Sequence, residues 1–505
     1  MEGFRLLRAE GAFELRDRQS AFHSKGSPSE LIDIEFAPAS PGSTGSWVSV
    51  VIGRNGVGKS RILAGIADVL ESLGERPLRR DGFAVSRIEY MLGDQHCVVE
   101  IDRYRVVRAT VNGINRSLHH LPLPEKIIAL TTTPFDKFRI SRFVQRGPDG
   151  NDPDREDRYS YLGLRDRTGR ASTTAAIFRA LEGLFEASAS SEERRVSIAD
   201  VFEFLGYTPR VDVRYQLSVG EARRHLEQIA DGMPIDHIIR PYDQPRSPRP
   251  IDRLIYDREA LDWVREVGRE VLERLLPDRR SIELHADFRS YSSDDGFFQR
   301  IQILRRFGLI SMKSVLVQRS ADGAVLDLRM ASSGELGIVS GFLGLASVIR
   351  SNSLIFVDEP EISLHPEWQT KYVELLTKTF AHYRGCHFVM ATHSPLILSD
   401  IDPDASNVVS LDPDRRKVES ARDFAGKSYD FLLATAFDEP GKNNMYLKEE
   451  IIRALRLAAD GKVRSAEFVK TLRILTDNLP KLDPQTPVAR LIGELEDVAK
   501  VEGIR

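Results

Sequence analysis

The 505-residue sequence predicts an α/β fold, interrupted by a mainly helical insertion and followed by a helical C-terminal region. Three observations predict it. A β-branched run, Trp47 to Ile52, leads through a glycine-rich loop into a helical pattern from about Arg61 to Leu73. A second apolar run, Ser353 to Val357, ends in two acids, Asp358 and Glu359. Between and beyond these, apolar residues recur at the 3.6-residue spacing of amphipathic helices.

The elements follow in order. Leu31 to Phe36 alternates as a strand, and Pro38 to Gly45 has loop composition. Residues 86 to 130 carry short strand patterns, among them Ile88 to Met91, Cys97 to Ile101 and Lys126 to Leu130. Arg146 to Arg158 reads as a loop. From Ser172 to Leu276 the pattern is helical, in the segments Ala175 to Ala187, Leu217 to Ala230 and Arg258 to Leu276, with a Pro/Arg loop from Pro241 to Arg253. Alternation returns at Ser281 to Phe288 and Ser314 to Arg329. Helix, strand and helix follow to Phe380, then a buried strand from Cys386 to Ala391, and helices after Ser428. The expected division is 1–145, an N-terminal lobe; 146–280, the insertion; 281–427, a C-terminal lobe; and 428–505, the helical region.

A net charge of -4 gives no global attraction to nucleic acid or anionic membrane. Two cysteines, Cys97 and Cys386, exclude a disulfide framework or a four-thiolate zinc site within one chain and suit a reducing compartment. The longest mostly apolar run, Leu336 to Ile349, is shorter than the roughly 20 residues of a membrane span. The N-terminus has no apolar core of signal-peptide length. The expectation is a cytoplasmic protein without membrane contact.

Gly53-Arg54-Asn55-Gly56-Val57-Gly58-Lys59-Ser60 fits the pattern of a phosphate-binding loop in full. Its glycines let successive N–H groups turn inward on phosphate oxygens, and the following helix adds its positive end. Lys59 then reaches the outer phosphates, and Ser60 ligates Mg2+. Asp358 at a strand end suits the same cation, and Glu359 suits polarisation of an attacking water. ATP and Mg2+ are the expected ligands. Ser332-Ser333-Gly334-Glu335 opens a helix and has two readings, a capping box or a γ-phosphate receptor at a helix N-terminus. His393, in Thr392-His393-Ser394 after a core strand, is a candidate γ-phosphate sensor. Asp402-Pro403-Asp404 and Asp412-Pro413-Asp414 read as turns. Arg103, Arg105 and Arg108, and Arg240, Arg246, Arg249 and Arg253, read as solvated surface before they read as phosphate contacts.

These motifs, in this order, resemble the ATP-binding-cassette ATPases, in the branch that includes RecF, the SMC proteins and the overcoming-lysogenization-defect ATPases. Asp358-Glu359-Pro360-Glu361-x-x-Leu364-His365-Pro366 is similar to the soluble branch. Ser332 to Glu335 resembles the family signature, with Ser333 and Glu335 where transporters carry Gly and Gln. The resemblance implies two ATPs sandwiched in a head-to-tail homodimer or a higher homo-oligomer. Lys59, Ser60, Asp358, Glu359 and His393 then act in cis, and Ser332, Ser333, Gly334 and Glu335 in trans. The family's early glutamine has no clear counterpart, Gln145 being a poor fit. Phe22 has two readings, adenine stacking and packing, of which packing is favoured.

Leu130 to Asp136 and Tyr161 to Arg165 resemble segments of ATPases from prokaryotic antiphage systems of the Septu and retron-associated type. That resemblance implies a separate effector nuclease as partner. Two alternatives stand beside it: a RecF-type repair ATPase that binds nucleic acid directly, and a chain that is itself a nuclease.

Overall fold

The computed structural model describes residues 3–13, 31–38, 45–73, 83–102, 104–140, 158–165, 170–172, 176–177, 179–181, 183–185, 192–218, 221–239, 250–276, 280–290, 294–413, 416–441 and 444–503. Phe22, Arg103, Gln145, Val219, Gly220, Arg240, Arg246 and Arg249 lie outside these residues, as do most of the 38–45, 146–158 and 241–253 loops. The chain forms two compact units. The first comprises residues 1–129, 135–139 and 350–505, and the second 130–134 and 140–349.

The first unit is built on a mostly parallel sheet. Its strands run in the spatial order Lys417–Ser420, Ser406–Ser410, Trp47–Ile52, His387–Ala391, Leu354–Asp358 and Ile127–Thr131. Four of these, Ser406–Ser410, His387–Ala391, Leu354–Asp358 and Ile127–Thr131, are buried at every position. A parallel sheet covered on both faces requires such continuous apolar runs. The pairings are in step: Asp358 lies opposite Ala391, Ala391 opposite Val51, and Ser410 opposite Ile52. Four strands therefore end together, and the chain beyond each of them emerges at one edge. The helix Lys59–Ser72 buries Ile62, Leu63, Ile66 and Leu70 beside this sheet.

A second sheet in the same unit is antiparallel, in the order Ile32–Glu35, Phe4–Phe13, Phe83–Leu92, Gln95–Asp102, Arg105–Val111 and Ile114–Asn115. Its strands alternate buried and half-buried positions, as one-sided sheets do. His387 ties the two sheets together. Its Nδ1 accepts the Leu6 N–H at 2.9 Å, so its Nε2 carries the proton and meets Ser49 Oγ at 2.9 Å. Ser49 in turn donates to the Phe36 carbonyl. Every polar atom of this fully buried imidazole is satisfied, and only in the neutral form.

The C-terminal helices Met445–Ala459, Ala466–Asn478 and Pro487–Val501 enclose a small core of their own, including Leu447, Ile451, Phe468, Leu475, Ile492 and Leu495. Asn444, Ser465 and Thr486 cap their N-termini through side-chain oxygens, which removes one orphan N–H from each.

The second unit holds an antiparallel sheet ordered Ser281–Asp287, Tyr207–Leu217, Ile310–Arg319 and Val325–Asp327. The helices Glu192–Phe204, Ala222–Ala230, Arg258–Glu273 and Ser333–Val348 belong to this unit as well. Here one expectation needs correction. The stretch from Ser172 to Leu276 is not helical throughout, because Tyr207–Leu217 is an inner strand and the helix expected from Leu217 begins at Ala222. Val211, Val213, Tyr215 and Leu217 are buried at period two, with Asp212, Arg214 and Gln216 between them. Phe185, Phe202, Phe288 and Phe298 stack into an aromatic cluster in this unit. Arg329 likewise lies beyond its strand, in a short 3-10 turn.

Burial holds the His387 pKa well below its ordinary value, with the Arg5 charge acting in the same direction. The unfolded chain takes up a proton near pH 6.5 that the folded chain refuses. The stability from neutral His387 is thus complete above about pH 6.5 and falls as the pH drops below it, by up to about 1.4 kcal/mol per unit. Urea unfolding at pH 7.5 and 5.5 should show this loss, and His387→Gln should reduce it. An equal pH dependence in the two proteins would refute the assignment.

Candidate functional site

The common end of the four parallel strands gathers the predicted groups. Ile52 leads into Gly53, Asp358 ends its own strand, Ala391 precedes Thr392-His393, and Ser410 precedes Asp412. Ligands of open α/β sheets bind at this edge, where the chain leaves the strands.

The phosphate loop takes its bend from glycine. Gly53, Gly56 and Gly58 have φ of 152°, 84° and 99°, and a Cβ on Gly58 would lie 2.2 Å from the Phe13 ring. Gly58 is the N-cap of the helix that begins at Lys59, without a side-chain cap. The first-turn N–H groups of that helix are the kind that bind an anion.

Lys59 is buried. Its ammonium donates to the Gly53 carbonyl at 2.8 Å and lies 2.6 Å from His393 Nε2. Burial lowers its pKa to about 8, although Glu359, Glu361, Asp358 and Asp412 act to raise it. Burial and then the Lys59 charge lower His393 to about 4, so the imidazole is neutral and accepts from the lysine. His393 Nε2 is 3.8 Å from Glu359 Oε1. Lys59 and His393 are thus hydrogen-bonded, and Glu359 stands beside them beyond hydrogen-bond distance.

Ser60 Oγ donates to Asp358 Oδ1 at 2.9 Å. Asp358 is fully buried, and burial pushes its carboxyl up to about 7 against the pull of the Ser60 hydrogen bond. Its Oδ2 is buried without a hydrogen-bond partner. A buried, half-satisfied carboxylate beside a hydroxyl fits Mg2+, which takes one or two protein oxygens and completes its octahedron with phosphate and water. Among the described residues, no group of three His, Cys, Asp or Glu side chains forms a metal cage. The fit is therefore to a cation that arrives with a phosphate ligand.

Glu359 follows Asp358 with φ +50°, a left-handed conformation that costs a non-glycine residue on the order of 1 kcal/mol. Its N–H is held by the Ala391 carbonyl at 2.9 Å. That bond fixes the turn at the strand end and leaves the side chain about a quarter exposed, at 26%.

Three further residues stand at the site without a role assigned to them from the sequence. Glu361 accepts the His393 N–H at 2.6 Å, and burial raises its pKa. Asp412, in a stretch of turn composition, is instead buried, and its Oδ1 accepts the Arg54 N–H at 2.9 Å. Asp438 accepts from the Arg54 guanidinium at 3.2 Å. The available signal for Asp412 is its place directly after a buried strand, the position that Glu359 and His393 share. Asp402-Pro403-Asp404 is a turn, with the Asp404 N–H donating to Asp402 Oδ1 at 2.9 Å.

The structure does not place all the predicted residues in one unit. Ser332 to Glu335 belong to the second. Ser332 and Glu335 form a full capping box there: the Glu335 N–H donates to Ser332 Oγ and the Ser332 N–H to Glu335 Oε2. The hydrogen bonds of this box lie at the exposed surface. Arg105 and Arg108 are also exposed, with Arg108 bonded to Asn115. No helix among the described residues is long and apolar enough to cross a membrane.

Residues 154–399 match the family described as "AAA domain, putative AbiEii toxin, Type IV TA system". This is just under half of the chain. It takes in the signature-like segment, the acidic strand and His393 but not the phosphate loop. The chain is 26% identical over 113 residues to the "Retron Vc95 probable ATPase" of Vibrio cholerae serotype O1 biovar El Tor, covering 22% of this chain and 21% of that protein. It is 24% identical over 123 residues to the "Retron Ec83 probable ATPase" of Escherichia coli, covering 23% and 22%. The aligned part spans about a fifth of each of these relatives. Among solved structures, an SMC head domain from Pyrococcus furiosus with an extended coiled coil, bound to the C-terminal domain of ScpA, is 12% identical, with a TM-score of 0.32 and coverage of 83% and 96%. Residues 154–399 are thus similar to an AAA domain, and the chain also carries a phosphate-loop pattern whose Ser60 meets the acidic strand end at Asp358.

Proposed function

We propose that the chain binds and hydrolyses ATP, dimerises around it, and uses the cycle to regulate a separate effector nuclease in antiphage defence. The observation that carries the ATPase reading is the meeting of Lys59, Ser60, Asp358, Glu359 and His393 at one sheet edge. The defence role is supported by the names of the two retron relatives and by the matched domain. The compartment we assign is the reducing cytoplasm, which suits two buried free cysteines.

In this reading the loop N–H groups and Lys59 neutralise the phosphates. Ser60 and Asp358 hold Mg2+, which supplies further charge neutralisation on the phosphate oxygens. Glu359 orients a water and takes its proton. His393, neutral, holds Lys59 in the empty site and senses the outermost phosphate in the loaded one. Lys59 gives up its bond to His393 when it turns to phosphate, so the ammonium itself links the empty and loaded arrangements. The signature segment, Ser332 to Glu335, closes on the nucleotide of another copy. Its place at a helix N-terminus, with a capping box at the exposed surface, suits that role.

Lys59→Ala should abolish ATP binding in a titration with a fluorescent analogue. Glu359→Gln should bind ATP, accumulate as a dimer by light scattering, and hydrolyse at least about 100-fold more slowly. Hydrolysis at the parental rate would remove Glu359 from the role of base.

If the signature acts in trans, mixing Lys59→Ala with Gly334→Asp should restore activity that neither has alone, because each mixed dimer contains one intact site. No recovery in dimers shown to have exchanged subunits would place the signature in cis.

Asp358→Asn replaces a buried carboxylate that lacks a partner on one oxygen. Without metal or nucleotide, the variant should melt about 2–4 °C higher than the parent and gain nothing from added MgATP. A lower Tm would mean that the carboxylate is stabilised where it stands.

A further inference from the structure

Arg54, the second residue of the phosphate loop, is held from two places. Asp412, just beyond the neighbouring parallel strand, takes its N–H at 2.9 Å. Asp438, in the loop after the helix Tyr429–Thr435, takes its guanidinium at 3.2 Å. The other Asp438 oxygen accepts from Lys481, which ends a 3-10 turn between the helices Ala466–Asn478 and Pro487–Val501. Asp438 is buried, and its backbone is left-handed, with φ +61°. Aspartate tolerates that conformation better than most residues, at a small cost. Here the bend sets the carboxylate between two cations from distant parts of the chain. Arg54 keeps an exposed side chain, at 55%, so its contact with Asp438 is not a packing requirement of the core.

A phosphate loop works by presenting N–H groups already aimed at the ligand, and any freedom in the empty loop is lost on binding. The loop leaves its strand at Gly53, where φ is 152°, and turns at once through Arg54. Restraint at Arg54 thus acts at the root of the loop. Asp412 restrains its backbone, and Asp438 restrains its side chain from the C-terminal helices.

We propose that Asp412 and Asp438 are positioning residues for nucleotide binding, and that Arg54–Asp438–Lys481 couples the C-terminal helices to the phosphate loop. The proposal rests on the ATP reading above. It adds that residues 428–503 regulate the affinity of the site through one carboxylate, without taking part in the chemistry. Because coupling is reciprocal, ATP should also tighten those helices.

The test is ATP titration and steady-state hydrolysis by the full chain, comparing the parent with Arg54→Ala, Asp438→Ala and the double variant. Each single variant should raise Kd and KM about tenfold with kcat within about twofold, and the double variant should be no worse than the singles. Asp412→Asn, which keeps an acceptor oxygen, should bind close to the parental Kd, whereas Asp412→Ala should not. Hydrogen exchange supplies the second measurement. ATP should slow exchange in Met445–Ala459 and Ala466–Asn478 of the parent and not of Arg54→Ala, a substitution at an exposed side chain that leaves folding intact. Parental affinity in Asp438→Ala, or a fall in kcat at unchanged KM as from a smaller folded fraction, would overturn the proposal. A parent that binds no ATP would remove the ATP reading, and the proposal with it.

Discussion

The site depends on the parallel register of four strands. Asp358, Ala391, Val51 and Ser410 lie level across the sheet, or within one residue of it. The chain after each strand has only one place to go, the edge where the sheet ends. The phosphate loop, the acidic pair, His393 and Asp412 are brought together by pairing alone, across more than 350 residues of sequence. A slip of one residue in any pair would exchange the residues packed on the two buried faces and move one group by about 3.3 Å. What opposes such a slip is the fit of particular side chains against both covered faces of the sheet, since every position of three of these strands is buried. Core packing and site geometry are therefore a single constraint.

The gathering has an electrostatic consequence. One buried lysine lies among four carboxylates, those of Glu359, Glu361, Asp358 and Asp412. Burial still wins at each strongly shifted group: Lys59 falls, His393 falls and Asp358 rises. Each shift is toward the neutral form, as expected where desolvation outweighs pairing. Such a site is unfavourable to its own charges and is relieved by ligands that bring compensating ones. A phosphate chain complements Lys59 and the loop N–H groups, and a divalent cation complements Asp358. Neither ligand alone would satisfy both halves, so the proposed ATP and Mg2+ suit the site as a pair.

Legibility in the sequence tracks the range of the interaction. The phosphate loop, the acidic strand end and the histidine after its strand are readable because each is a contiguous motif with its structural context beside it. The capping box of Ser332 and Glu335 is readable for the same reason, though its second reading requires another copy. Asp412 is not readable in this way. Asp-Pro-Asp has turn composition wherever it occurs, and only the pairing of Ser410 with Ile52 reveals that this one flanks the phosphate loop. Asp438 and Lys481 are further from view, since nothing local distinguishes either from a surface charge. The strand Tyr207–Leu217 is hidden for a different reason. It carries Arg, Asp and Gln on its other face and lies between real helices, so the surrounding 3.6-residue pattern masks a period of two.

The C-terminal helices also show why their connection to the site matters. They carry their own core cluster and their own caps. Where these helices border the loop, the Arg54–Asp438–Lys481 chain is one of the contacts that link them to the rest of their unit. Arg54 is an apt partner for such a contact. Its backbone belongs to the loop, and its side chain reaches outward with a planar set of donors. A lysine at this position would offer a point charge on a mobile stem, without the planar donor set that fixes direction. The same residue thus carries two restraints of different kinds, a backbone bond that shapes the loop and a side-chain bond that reports on the helices. A change in either end is felt first at the root of the loop, before it reaches the groups that do the chemistry.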